Sequence, residues 1–174
     1  MLNIEILEVL GAEPVTLAEA KEYCRIDNDY TGEDLLIEDL IKSSRIALEN
    51  FANISIIEKR IKVSSDTDKT LWLPFSPVIE VESITNNSGD QIEFDASIKY
   101  KLKIGQAGPY YITYKAGFIT IPQDIKLAVL KQVLTDYDNR ENFTVNNNST
   151  VRSSSSLSNS AKNLIHPYSR NLLL

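Results

Sequence analysis

Cysteine and histidine are almost missing: one of each stands in 174 residues. The lone Cys24 excludes an internal disulfide and any multi-cysteine metal site. The lone His166 leaves no partner for a histidine-based zinc or iron site, and beside Pro167 it has no serine and acid around it to serve as a base. No apolar run nears the ~18 residues of a membrane span. The start, Met1-Leu2-Asn3-Ile4-Glu5, has neither the basic stretch nor the long apolar stretch of a secretory signal. Cytoplasmic synthesis and folding, with no membrane, is the expectation. Basic charge is in deficit, 18 Lys and Arg against 24 Asp and Glu, for a net charge of −6. Such a chain is poor in the clustered cations that grip phosphate. No glycine-rich phosphate loop follows a strand, because Gly105-Gln106-Ala107-Gly108 falls between two strands as a tight connection. The string Asp27-Asn28-Asp29-Tyr30-Thr31-Gly32 has alternating oxygen ligands, a sixth-position glycine and Glu38 at the twelfth. Leu35 and Leu36 interrupt the ligand region and a helix begins inside it, so calcium is not expected. No catalytic residue, metal ligand set or cofactor site emerges.

What is present is an ordinary hydrophobic content of 43%, enough over this length for a real core. Thr16 and Glu19 fit a capping box that opens a helix over about residues 17–25. Thr31 is expected to cap a second helix over about 32–52. Its apolar stripe is Leu36, Ile37, Leu40, Ile41, Ala47, Leu48 and Phe51, with Glu38, Lys42, Arg45 and Glu49 on the opposite side. Glu38 can pair with Lys42 and Arg45 with Glu49, each for a few tenths of a kcal/mol. Leu35 and Ile46 fall outside the stripe, either as a chance exposure or as a second ridge for another chain.

The period then changes. Ile57, Lys59, Ile61 and Val63 share one face of a strand expected near an edge. Short strands follow at 71–74 and 78–82. Asn86-Asn87-Ser88-Gly89-Asp90 signals a hairpin returning through Ile92 and Phe94. Strands at 100–104 and 110–114 are expected to pair with each other. Pro122 opens a third helix, about 122–139, whose apolar arc covers roughly half the circumference, wider than the usual ~100° stripe. Leu127, Leu130 and Leu134 on it are candidates for a subunit interface. Residues 142–163, rich in Asn and Ser, read as a polar tether. Beyond it, Ile165, Pro167, Tyr168, Arg170 and Leu172 read as a docking tail, with folding back onto the chain's own core as the equal alternative. The expected fold is α+β: a helical core of two N-terminal helices plus a long third, a small antiparallel β-sheet inserted over about 55–115, and an extended C-terminal tail. The expected domain is 1–141, with 142–174 as tether and tail.

Several segments resemble, in order, the head–tail connector (adaptor, or head-completion) proteins of long-tailed bacteriophages. They are Pro14-Val15-Thr16-Leu17-Ala18-Glu19-Ala20-Lys21 with its following helix containing Ile41, Arg45 and Glu49; Leu73-Pro74-Phe75-Ser76-Pro77-Val78; Tyr114-Lys115-Ala116-Gly117-Phe118 with Ile121-Pro122 and Tyr137-Asp138-Asn139-Arg140-Glu141; and Pro167-Tyr168-Ser169-Arg170. The resemblance implies a non-enzymatic virion protein made in a bacterial host cytoplasm. It implies a homo-oligomeric, dodecameric ring at the head–tail junction, beneath the portal protein. The ring extends the DNA channel and carries the tail or its stopper, while DNA passes without specific binding. Another neck or tail-completion protein is the alternative, then a small soluble enzyme, against which the scarcity of His, Cys and Gly-rich loops counts.

Overall fold

The computed structural model describes residues 2–66, 70–98, 101–104, 108–139 and 157–169. They fall into two compact units, and the fold is α+β.

The described residues of the helical unit lie within 13–52, 122–139 and 157–169. Helix α1, Leu17–Cys24, starts on a complete capping box. The Glu19 N–H donates to Thr16 Oγ1 at 3.2 Å and the Thr16 N–H donates to Glu19 Oε2 at 2.7 Å. Arg25 ends the helix in the left-handed region, its N–H turned to the Glu22 carbonyl. The Thr16 backbone N–H, and then its hydroxyl, favour the charged Glu19 and lower its pKa below the ordinary 4.5. A depressed carboxyl stabilises the fold above its unfolded pKa and loses that contribution as pH falls through the folded value. Glu19→Gln is therefore expected to cost stability at neutral pH and to flatten the decline of melting temperature below about pH 4.5, which a pH series of thermal melts checks.

Helix α2 is Asp34–Ala52, beginning two residues later than expected. Thr31 is not its cap. It stands in the preceding turn, its carbonyl accepting from the Asp34 N–H at 3.4 Å. The buried face is Ile37, Ile41, Ser44, Arg45, Leu48, Glu49 and Ala52, so it is rotated from the expected stripe. Leu36 and Phe51 are exposed instead. Lys42 reaches Asp39 at 3.9 Å and not Glu38. Helix α3, Gln123–Asp138, follows Pro122 and packs against α1, α2 and a fourth helix, which accounts for its wide apolar arc.

That fourth helix, α4, Asn159–Ile165, corrects the tether reading, since residues 159–163 are helical. Ser158 Oγ accepts from the Ala161 N–H at 3.2 Å and caps it. The buried Gln132 of α3 holds the cap from behind, its Oε1 accepting from the Ser158 N–H at 2.8 Å while its amide donates to Asp136 at 2.9 Å. Ala161 and Ile165 are fully buried, and a 3-10 turn, His166–Tyr168, follows. The remainder of the expected tether, 142–156, and the tail beyond Ser169 lie outside the described residues.

The described residues of the other unit lie within 2–12 and 53–121. They form two antiparallel sheets where one was expected. The first has the order β1-β2-β7-β4, from Asn3–Val9, Lys59–Ser65, Tyr110–Ala116 and Val78–Asn86. The second has the order β3-β6-β5, from Thr70–Trp72, Lys101–Ile104 and Phe94–Ile98. The strands at 101–104 and 110–116 therefore do not pair with each other but enter different sheets. Strand β2 lies one place in from the edge, with β1 on the far side from β7. The hairpin at Asn86 forms, with the Asn86 N–H bonded to the Asp90 carbonyl at 3.0 Å. Its return arm makes only one bridge, at Gln91, before Phe94 leaves for the second sheet.

The core of this unit is shared by both sheets. Ile61, Val63, Ile84, Tyr110, Ile112 and Tyr114 come from the first sheet, and Leu71, Leu102 and Ile104 from the second. Strand β1 contributes nothing to it. Ile4, Ile6 and Val9 stand opposite Val63, Ile61 and Lys59 in register, so they share the core-side face, yet they remain 41–54% exposed.

Candidate functional site

Two of the family-like segments meet in the sheet-bearing unit. Val78 pairs with Ala116, and the Phe75 N–H donates to Tyr114 Oη at 3.4 Å. The Gly117 N–H donates to the Pro77 carbonyl at 2.9 Å. Gly117 has φ +138°, and a Cβ there would lie 2.4 Å from the Ile57 carbonyl oxygen. The close approach of two backbones explains the glycine.

In the helical unit, Arg45 and Glu49 are not on a solvent face. Arg45 is 6% exposed, and its Nε and Nη2 hold Glu13 at 2.8 and 3.0 Å while Nη1 holds Glu49 at 2.8 Å. Burial lowers the guanidinium pKa, but the bonds and charges of Glu13 and Glu49 outweigh it and leave the pKa above the ordinary value. Lys21 is also buried. It pairs with Asp34 and donates to the carbonyls of Asn28 and Tyr30 at 3.2 and 2.7 Å, fixing the α1–α2 loop.

Neither cluster is a reaction centre, since each charge is spent on another part of the same fold. Burial, with the charge of Asp138 adding to it, raises the Cys24 pKa above the ordinary thiol value. His166 is exposed on the 3-10 turn. Among the described residues, no three His, Cys, Asp or Glu side chains are grouped to hold a metal ion. No described helix is long and apolar enough to cross a membrane.

The distinctive surfaces are apolar. Leu35 is 78% exposed and Ile46 47%, so the second ridge of α2 faces away from its own bundle. Leu127 is 36% exposed, and Leu130 and Leu134 are half-buried. In the expected docking tail, Ile165 is a core residue of the helical unit, which corrects its assignment. Pro167 is exposed and Tyr168 half-buried, while Arg170 and Leu172 lie outside the described residues.

The face that sequence reasoning missed is β1. Leu2, Ile4, Ile6, Leu7, Val9 and Leu10 are all exposed on or beside this edge strand. Its signal was the alternation of Ile4 and Ile6 with Asn3 and Glu5. Beside it, a pocket of about 430 Å³ opens on the outer face of the four-stranded sheet, lined by Leu7, Lys62, Thr85, Asn87, Tyr111 and Thr113 among others.

These features define an α+β protein with exposed apolar side chains on both units. A family model described as head completion protein matches residues 13–172, and the chain belongs to that family. No curated protein matches the chain by sequence. Among solved structures, the fold is similar to a chain in the virion of the native gene transfer agent (GTA) particle. That pair has 16% identity and a TM-score of 0.71, covering 98% of this chain and 97% of the other. A chain in the neck of the empty GTA particle, computed with C6 symmetry, has 18% identity, TM-score 0.70 and coverage of 100% and 97%. One in the neck of the native GTA particle, computed with C12 symmetry, has 17% identity, TM-score 0.69 and the same coverage.

Proposed function

We propose that this chain is a structural subunit of a phage-like neck, repeated as a dodecameric ring at the head–tail junction of the virion. The ring stands beneath the portal protein, extends the DNA channel and carries the tail or its stopper. The observation that supports this most is the match of the whole chain to chains from particle necks computed with sixfold and twelvefold symmetry. Family membership over residues 13–172 is consistent with it. The net charge of −6 favours a channel along which DNA slides, since a wall rich in cations would retain it. Uncovered apolar residues on two different units, Leu35 and Ile46 on one and β1 on the other, suit a subunit with a neighbour on each side. Leu127, Leu130 and Leu134 add to the ring contacts. Pro167 and Tyr168, continued by Arg170 and Leu172, reach the portal or the adjacent subunit. No membrane or cofactor enters this role, and synthesis takes place in the bacterial host cytoplasm.

Cryo-electron microscopy of particles carrying a tagged chain tests the location. The tag is expected in a ring directly against the portal, whereas a ring further along the tail would make the chain a tail-completion protein. A chain ending at Ser169 keeps the buried Ile165 and is expected to fold. In particles it should fail to attach to the portal, leaving heads without tails. Normal attachment by this truncated chain would remove the docking role from Arg170 and Leu172.

A further inference from the structure

We propose that adjacent copies of this chain meet through the Lys62–Tyr111 pocket of one copy and the acidic α1–α2 loop, residues 27–30, of the next. The inference rests on the ring reading and gives it a specific contact. It begins with the charges on the outer face of the four-stranded sheet. Arg60 is held by Glu8 at 2.9 Å and Glu82 at 3.0 Å. Lys115 lies between Glu82 at 3.3 Å and Glu80 at 3.7 Å. Lys62 is on the same face and makes no ion pair among the described residues, although Glu5 stands opposite it on β1. Its ammonium instead lies 5.2 Å from the centre of the Tyr111 ring. The Tyr111 hydroxyl and Asn87 Oδ1 are 3.2 Å apart, which leaves the Asn87 amide N–H groups for an incoming acceptor. Thr85 and Thr113 line the same pocket. A β-bulge between Ile6 and Glu8 leaves Leu7 unpaired and adds it as the apolar wall. One unpaired cation, amide and hydroxyl donors and no carboxylate suit a carboxylate ligand. A single cation is too little for a nucleic-acid backbone.

The complementary group is on the helical unit. Asp29 is exposed, and its carboxylate has no partner among the described residues. Asp27 Oδ1 accepts from the Asp29 N–H at 3.0 Å. Lys21 grips the Asn28 and Tyr30 carbonyls from inside, so the loop is already ordered and loses little freedom on docking. Tyr30 is exposed, with its ring over Gly32, where a Cβ would come within 2.6 Å of the hydroxyl. Leu35 follows one turn later, giving the loop apolar surface to set against Leu7. The two patches are opposite in charge, alike in carrying exposed apolar side chains, and different in position. A contact between unlike patches is heterologous and generates a ring when its rotation closes.

The test uses the purified full-length chain at a concentration where the wild type forms rings, read by mass photometry, and the same variants in particles. Lys62→Glu and Asp29→Lys are each expected to lower ring formation at least tenfold. Both changes in one chain should restore it, because the charge pair is then reversed and not lost. Unchanged Trp72 fluorescence and circular dichroism certify folding of these surface variants. Rings formed equally well by both single variants would overturn this contact and leave the ring reading standing. Failure of the double variant to recover would overturn the pairing of these two patches. A wild-type chain that forms no ring, in solution or in particles, would overturn both readings.

Discussion

Gly117→Ala is expected to destabilise the sheet-bearing unit by about 3 kcal/mol. Two costs add. An L-residue at φ +138° is strained, by roughly 1–2 kcal/mol. The new methyl would also lie 2.4 Å from the Ile57 carbonyl oxygen, 2.6 Å from its carbon and 2.7 Å from Glu58 Cα. All three are backbone atoms, so no side chain can rotate away, and forcing the two backbone segments apart costs about 1–3 kcal/mol more. Urea denaturation followed by Trp72, the only tryptophan, measures the loss within this unit. Gly89→Ala is the control. It has φ +88° with nothing within 4 Å, so it should lose only the strain, about 1 kcal/mol. Equal losses at the two glycines would show that the close approach at Gly117 contributes nothing.

Arg45→Met should cost the helical unit about 3–5 kcal/mol, because it leaves the buried Glu49 without its guanidinium. Arg45→Lys should recover little. One ammonium cannot reproduce the fork in which Nε and Nη2 hold Glu13 while Nη1 holds Glu49. Arg45→Met combined with Glu49→Leu should regain most of the loss, since no uncompensated charge is then buried. Glu13, partly exposed, can turn to water. Helical signal in circular dichroism during urea unfolding measures all three. A loss below 1 kcal/mol for Arg45→Met would place the guanidinium at a solvent face after all.

This pair shows where reading the chain succeeds and where it stops. The spacing of Arg45 and Glu49 predicts their contact, but one helix's periodicity cannot show Glu13 arriving from 32 residues earlier. With two carboxylates around it, the guanidinium is satisfied out of water, and the whole buried face of α2 turns toward it. The apolar arc of α3 was legible as a demand for several neighbours, and α1, α2 and α4 meet it. Helix α4 was missed because its seven residues carry a weak pattern inside a polar tract, and its anchor is Gln132, far away in sequence. The strands at 101–104 and 110–116 looked like a hairpin because they are adjacent, yet each finds its partners elsewhere.

By itself, the sequence determined what depends on neighbours along the chain. These are the capping box at Thr16 and Glu19, the places of the first three helices and the turn at Asn86. The ordered segments also carried the family resemblance. Tertiary structure alone decided which faces were left over. Ile4, Ile6 and Val9 share the core-side face of the sheet, but the shared core does not extend to β1. Ile165, apolar and near the end of the chain, is instead buried, at the end of a helix whose opening cap Gln132 holds. An apolar side chain is the same in either place. Its role as core or contact surface depends on what packs over it, and that packing is set by residues distant in sequence.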